Sequence, residues 1–357
     1  MKNKNKRRFI PHLKEGGFSP GYTKFDKALA QRFVNDMNLP IQVIDEEHFE
    51  NRLLTYEPVC KSWTLWQETL QEINERFDGD ASKFLEDYYN VRDTVIKTVT
   101  ESEAFQKFNN CDMNRFKIQT PLNPRSKDFY NGENAGKVYA SFDLVKSNIQ
   151  ALNFADKEIL FNSNTYEEFI QRFTESKYIA RSKYFRQVVF GQMSPKRHIT
   201  IAKYLISRVY ELLRARGLDW ELVAVSSDEI VFEVPEGIMW DYALLFAKLK
   251  HEWETLIYDE LGLKVHFEMF RLDRYRMVTD EGNNVAEFFT KTHSNENVVW
   301  KGIPLQYYSI IYNLMNGLEL EAIDKIFQYE RCRCVFDEGF HIEKLVGNDV
   351  NRVWTKI

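Results

Sequence analysis

Apolar residues recur at helical spacing through the first third of the chain. Phe25, Leu29, Phe33 and Met37 form one stripe, Trp63, Trp66, Leu70, Ile73 and Phe77 a second, and Phe84, Tyr88, Val91, Val95 and Val99 a third. Stripes three and four residues apart predict amphipathic helices that bury one face. The spacing predicts a helical N-terminal lobe over 24–133, behind a basic tail over 1–23 that opens MKNKNKRR. Pro121, Pro124 and Gly132 mark the irregular end of that lobe.

After it the period changes. Val138, Tyr139 and Phe142 suit a strand with Asp143 near its end, and Tyr166–Phe173 reads as helical after a loop at 162–164. Lys196–Arg216 carries Ile199, Ala202, Leu205, Ile206, Val209, Leu212 and Leu213 on one side and reads as a long helix. In Glu221–Val234, two short apolar runs flank Ser226, Ser227, Asp228 and Glu229, which predicts a hairpin with an acidic turn. Met239–Leu261 reads as a further helix and Leu263–Leu272 as a further strand. The order β, helices, β, β, helix, β is the split-βαβ plan. The expected class is therefore α+β, a ferredoxin-like or RRM-like antiparallel sheet over 134–280. A C-terminal hairpin and helices follow over 281–357.

Composition narrows the class. The chain has 357 residues, 44% hydrophobic and 28% charged, which suits a globular protein of more than one lobe. It contains no run of 18 apolar residues, so neither a membrane span nor a membrane partner is expected. Nor does an apolar segment follow the basic start, as a signal peptide requires. Four scattered cysteines, Cys60, Cys111, Cys332 and Cys334, are too few for a disulfide framework. The expected setting is reducing and cytoplasmic. The net charge of −5 means that a nucleic acid would have to meet locally basic surface.

The candidate chemistry lies at the strand ends. Two acids at one tip repel each other unless a cation offsets them, and hard divalent ions prefer carboxylate oxygen. Asp143, Asp228 and Glu229 are thus candidate ligands for two Mg²⁺ or Mn²⁺ ions, one activating an attacking oxygen and one supporting the leaving oxygen. The alternatives are an acidic hairpin turn and an Asp that caps the next helix.

These motifs resemble the palm domain of nucleic-acid polymerases. Asp143 fits its motif A, and Ser227-Asp228-Glu229 its motif C. Between them, Lys183-Tyr-Phe-Arg-Gln187-Val-Val-Phe190-Gly191 is similar to the KxxxNxxYG of family B DNA polymerases. The resemblance implies that Lys183, Arg186, Gln187 and Gly191 contact the nucleotide. The stretch Thr290–Tyr308 is similar to a primer-gripping hairpin, which implies nucleic-acid contacts at Lys291 and Lys301. The expected partners are nucleoside triphosphates and a primer–template, DNA ahead of RNA. The chain departs from family B in its motif spacings, as short as in reverse transcriptases, in a turn reading SSDE, in LVKSNI where the family has SLYPS, in Gln187 for Asn and Phe190 for Tyr, and in showing no proofreading exonuclease acids and an N-terminal lobe unlike the family's. The small size suits a phage or mobile-element protein.

Other readings stay open. Ser194-Pro-Lys-Arg-His198 is similar to the SxH motif of archaeo-eukaryotic primases, although Phe142-Asp143-Leu144 lacks their paired acids. The tRNA-His guanylyltransferases and GGDEF-type cyclases share the topology and an Asp-Glu hairpin tip. A non-catalytic nucleic-acid-binding scaffold is the alternative outside enzymes.

Overall fold

The computed structural model describes residues 25–118, 122, 129–238, 243–294 and 297–345. The basic tail, the loop at 11–22, Pro121 and Pro124, the expected helix start at Met239 and the C-terminal residues after 345 lie outside the described residues.

Five helices come first: α1 (Lys27–Asp36), α2 (Glu46–Cys60), α3 (Ser62–Phe77), α4 (Ala81–Thr100) and α5 (Glu103–Asn110). Four start on an acceptor side chain that takes a backbone N–H of the first turn: Asp26, Asp45, Asp80 and Ser102. The expected stripes are buried at Leu29 and Phe33, at Trp66, Leu70 and Ile73, and at Phe84, Tyr88, Val91, Val95 and Val99.

Next come β1 (Val138–Leu144), α6 (Ser147–Ala155), α7 (Tyr166–Ile170), α8 (Lys177–Arg181), α9 (Lys183–Gly191) and α10 (Pro195–Ala215). They are followed by β2 (Glu221–Val225), β3 (Glu229–Glu233), α11 (Ala243–Leu261) and β4 (Val265–Thr279). The chain continues through β5 (Asn284–His293), β6 (Val298–Lys301), α12 (Tyr308–Met315), β7 (Ile326–Tyr329), β8 (Cys332–Val335) and β9 (Phe340–Leu345). The fold is α+β around an antiparallel sheet of order β2-β3-β1-β4-β5-β6, and β7 and β8 form a separate pair. β9 pairs with Arg274–Thr279 of β4, beyond the residues that pair with β1.

Strand alternation gives the sheet two unlike faces. Ala140, Phe142, Leu144, Ile230, Phe232, Val265, Phe267 and Met269 point into the main core. There Tyr210 of α10 stacks on Phe232, and Trp253 of α11 meets Phe142 edge-on. The other face has a small apolar cluster of Phe129, Tyr139, Ala224, Val231, Phe270 and Leu272. Polar groups surround it.

Two outcomes differ from the sequence pattern. β4 runs seven residues past Leu272 because its charges are paired: Arg274 and Arg276 with Glu287, and Asp273 with Arg271 and Lys344. The expected C-terminal hairpin is β5–β6, but after it the described residues hold α12 and the three strands β7, β8 and β9 rather than helices alone; β9 returns to the sheet, so a boundary at 280 falls within the β4–β5 pair.

The main core also continues across residue 133, from the N-terminal helices into the sheet. Asp36, at the end of α1, is fully buried. It accepts from Tyr88 Oη (2.9 Å), Tyr178 Oη (2.7 Å) and Ser182 Oγ (2.9 Å), and Arg32 Nε lies 3.0 Å away. Burial raises its pKa, and Arg32 and the hydroxyls oppose that rise. Ser182 also caps α9, so this carboxylate ties the N-terminal helices to α9. Asp36→Asn is expected to cost about 1–3 kcal/mol. Urea denaturation should show this as a lower midpoint with an unchanged slope.

Candidate functional site

The acidic hairpin is held by its serines. Ser226 Oγ accepts from the N–H groups of Asp228 (3.2 Å) and Glu229 (2.9 Å), which fixes the turn between β2 and β3. The Asp228 carboxylate accepts from Ser226 and Ser227 (3.1 Å each) and from Ser147 Oγ (2.9 Å) at the start of α6. The Leu144 N–H donates to the Asp228 carbonyl at 2.8 Å, which locks the turn to the end of β1.

Asp143 lies directly opposite Glu229 on β3 and His266 on β4. Opposed residues share a face, and like charges there repel. Asp143 does not cap the following helix: the residue before α6 is Lys146, in a left-handed conformation with φ 50°. Among the described residues no group donates a hydrogen bond to the Asp143 carboxylate. Burial first, then the charges of Asp228, Glu229 and Glu268, push its pKa up to about 7, with Lys291 opposing.

Glu268 is the fourth carboxylate. It lies opposite Ser141, whose Oγ donates to Glu229 Oε1 at 2.6 Å. Burial acts to raise its pKa, but Lys291, with smaller help from His293 and His266, holds it below the usual value. Its place on the face opposite buried Phe267 and Met269 follows from alternation in the sequence, but its burial beside the other acids depends on the strand pairing. Tyr130 is a second residue the motifs do not signal. It is 38% exposed, with its ring 5.8 Å from Phe289, and its phenol feels the charges of Lys291, Glu229 and Glu268.

The basic candidates divide. Gln187 and Gly191 line a cleft of about 250 Å³ with Ser147, Asn148, Ser227 and Asp228, which places the end of α9 beside the hairpin turn. Arg186 instead lies 5.6 Å from the Tyr166 ring centre and lines a neighbouring hollow with Lys146 and Arg181. Lys183 is exposed on α9, and its charge reaches Lys301. The Lys301 pKa is lowered by burial first and then by Lys291, while Glu268 and Glu229 oppose this. Lys291 does not lie on the surface of the hairpin: it is 6% exposed and points into the acids. His198 is buried, with Nε2 2.8 Å from the Met193 carbonyl, and burial lowers its pKa, as suits a structural group.

Among the described residues, no three His, Cys, Asp or Glu side chains form a ready-made metal cage. The donor chemistry nevertheless fits hard divalent ions: four carboxylates crowd together near Lys291, and among the described residues no group donates a hydrogen bond to Asp143. No helix among the described residues is long and apolar enough to cross a membrane. No family model matches the chain, and no curated protein matches it.

Proposed function

We propose that the chain is a metal-dependent nucleotidyltransferase that adds nucleotides to a nucleic-acid 3′ hydroxyl, with DNA favoured over RNA. One observation carries this reading. Carboxylates from two distant stretches, Asp143 and Asp228-Glu229, meet at one end of adjacent strands with an excess of negative charge. The strand order β2-β3-β1-β4 is also the one a ferredoxin-like palm requires.

Asp143 and Asp228 would hold two Mg²⁺ or Mn²⁺ ions, with Glu229 beside them. When bound, such ions supply Lewis acidity and neutralise phosphate charge. The residues of the chain supply the rest. The serines fix the Asp228 carboxylate, and the cleft walled by Gln187 and Gly191 receives the nucleotide next to it. Lys183 and Lys301 bring positive charge towards the triphosphate and the strand backbone. In the reaction a bond forms between the 3′ oxygen and the α-phosphorus, the bond to the β-phosphate bridge breaks, and pyrophosphate leaves. Catalysis is mainly positioning and charge neutralisation.

The test is incubation with labelled dNTPs or NTPs and Mg²⁺ or Mn²⁺, with and without primer and template. A labelled product that lengthens on a primer supports the reading. A cyclic or single-addition product would indicate a cyclase or guanylyltransferase instead, and no product in any combination counts against all three. Lys183→Ala is expected to raise the nucleotide KM roughly 10- to 100-fold, the size of losing a charge-assisted contact, with nucleic-acid affinity unchanged. An equal loss in both measurements rejects its nucleotide role.

A further inference from the structure

Lys291 leaves β5 opposite Leu272, and its ammonium lies 4.2 Å from the centre of the Phe270 ring. It reaches Glu268 Oε1 at 2.6 Å and Glu229 Oε1 at 3.7 Å. Ser141 donates to the same Glu229 oxygen at 2.6 Å, and His293 Nε2 stands 3.7 Å from Glu268 Oε2. Burial alone would lower the Lys291 pKa, and the two glutamates instead hold it above its ordinary value. Among the described residues no ion pair joins this ammonium to Asp143 or Asp228, although its charge acts on Asp143 from further away.

A buried ion pair is a poor way to gain stability, because an apolar residue of similar volume often does as well or better. Phe270 and Leu272 already supply an apolar setting around this position. The charge therefore needs another explanation, and the two carboxylates it engages provide one. We infer that Lys291 is a positioning residue, a built-in counter-cation that claims Glu229 and Glu268 and leaves Asp143 and Asp228 to bind divalent ions. Ser141 assists by holding Glu229. This inference rests on the metal-dependent reading above. It goes beyond that reading by separating the four carboxylates into two that bind ions and two that are occupied by the lysine. It also assigns Lys291 an internal role in place of a contact with the primer backbone.

The test is titration of the full chain with Mn²⁺, without nucleotide or nucleic acid, reading free Mn²⁺ by electron paramagnetic resonance. Glu229→Gln and Glu268→Gln should keep Mn²⁺ affinity within about threefold of the parent, because neither carboxylate is a ligand. Asp143→Asn and Asp228→Asn should each lose at least about tenfold. Lys291→Met frees two carboxylates and removes a positive charge near the ions, so it should bind Mn²⁺ at least about tenfold more tightly or take up an additional ion. Lys291→Arg should restore the parent behaviour. The inference is overturned if either Gln variant loses as much as Asp143→Asn, or if Lys291→Met binds as the parent does. The Gln variants decide the matter even if Lys291→Met does not fold. A parent protein that binds no Mn²⁺ overturns both this inference and the metal-dependent function, whereas a failure confined to the Gln or Lys291 variants leaves that function standing.

Discussion

Asp143→Asn is expected to abolish nucleotide incorporation and also to make the protein more stable at pH 8 without divalent ions. The stability gain comes from the crowding of Asp143 by burial, Asp228, Glu229 and Glu268. On the proposed two-metal reading, removing its charge deprives the site of a ligand, and the expected rate loss is at least roughly 10²–10³-fold, as for other groups that act on transition-state charge. The stability effect follows from proton linkage. The Asp143 pKa is about 7 in the folded chain against an ordinary value of 3.8, so the folded state holds this proton more tightly than the unfolded state does. Stability therefore falls as pH rises from about 4 through 7, and the full penalty applies above 7. A shift of this size sets an upper bound of roughly 4 kcal/mol, which solvent and counter-ions reduce. Thermal melts in chelator should put Asp143→Asn above the parent at pH 8, with the gap closing towards pH 4. A gap that is absent at pH 8, or that widens in acid, contradicts this electrostatic picture. Asp228→Asn should be equally inactive without the gain in stability, because three serine hydroxyls donate to that carboxylate in the native protein.

The second large effect concerns a buried ion pair outside the acidic cluster. Arg52 of α2 is 2% exposed, and the Asp324 side chain is fully buried. Arg52 donates to Asp324 Oδ1 and to the Ile323 carbonyl, each at 2.6 Å. Asp324 Oδ2 in turn accepts the Glu321 N–H at 2.9 Å. Arg52→Met leaves a buried carboxylate without its guanidinium, and the expected loss is roughly 3–5 kcal/mol, a large part of the stability of an ordinary domain. The double variant Arg52→Met/Asp324→Asn should recover part of that loss, since the two residues are directly coupled. Because the main core runs from the N-terminal helices into the sheet, urea should still unfold each variant in one transition. A separate early transition of the N-terminal helices would show that the two parts fold independently.

The legible parts of the fold were those with a local period. The α4 stripe, the long helix α10, strand β1 and the β2–β3 hairpin show in the sequence because burial on one side imposes spacings of 3.6 or 2. The outer half of β4 and strand β9 did not show. The outer half of β4 is rich in charges satisfied by residues distant in the chain, Glu287 and Lys344, and only that pairing makes a strand of it. Candidate acids at strand ends were readable because carboxylates between short apolar runs stand out. Glu268 did not stand out, since a single Glu in an alternating strand looks like an ordinary outward residue. The burial of Lys291 is hidden for the same reason. Its burial depends on Phe270, Glu268 and Glu229 from other strands, and no local pattern encodes that meeting.

The most direct test of the proposed shared-cation centre is crystallographic: soak crystals of the protein with Mn²⁺ and a nucleoside triphosphate and map the anomalous signal. The expected result is a peak within direct ligand distance, about 2.0–2.2 Å, of carboxylate oxygens from both Asp143 and Asp228. Fully occupied Mn²⁺ bound elsewhere, with these two carboxylates turned away from each other, would contradict it.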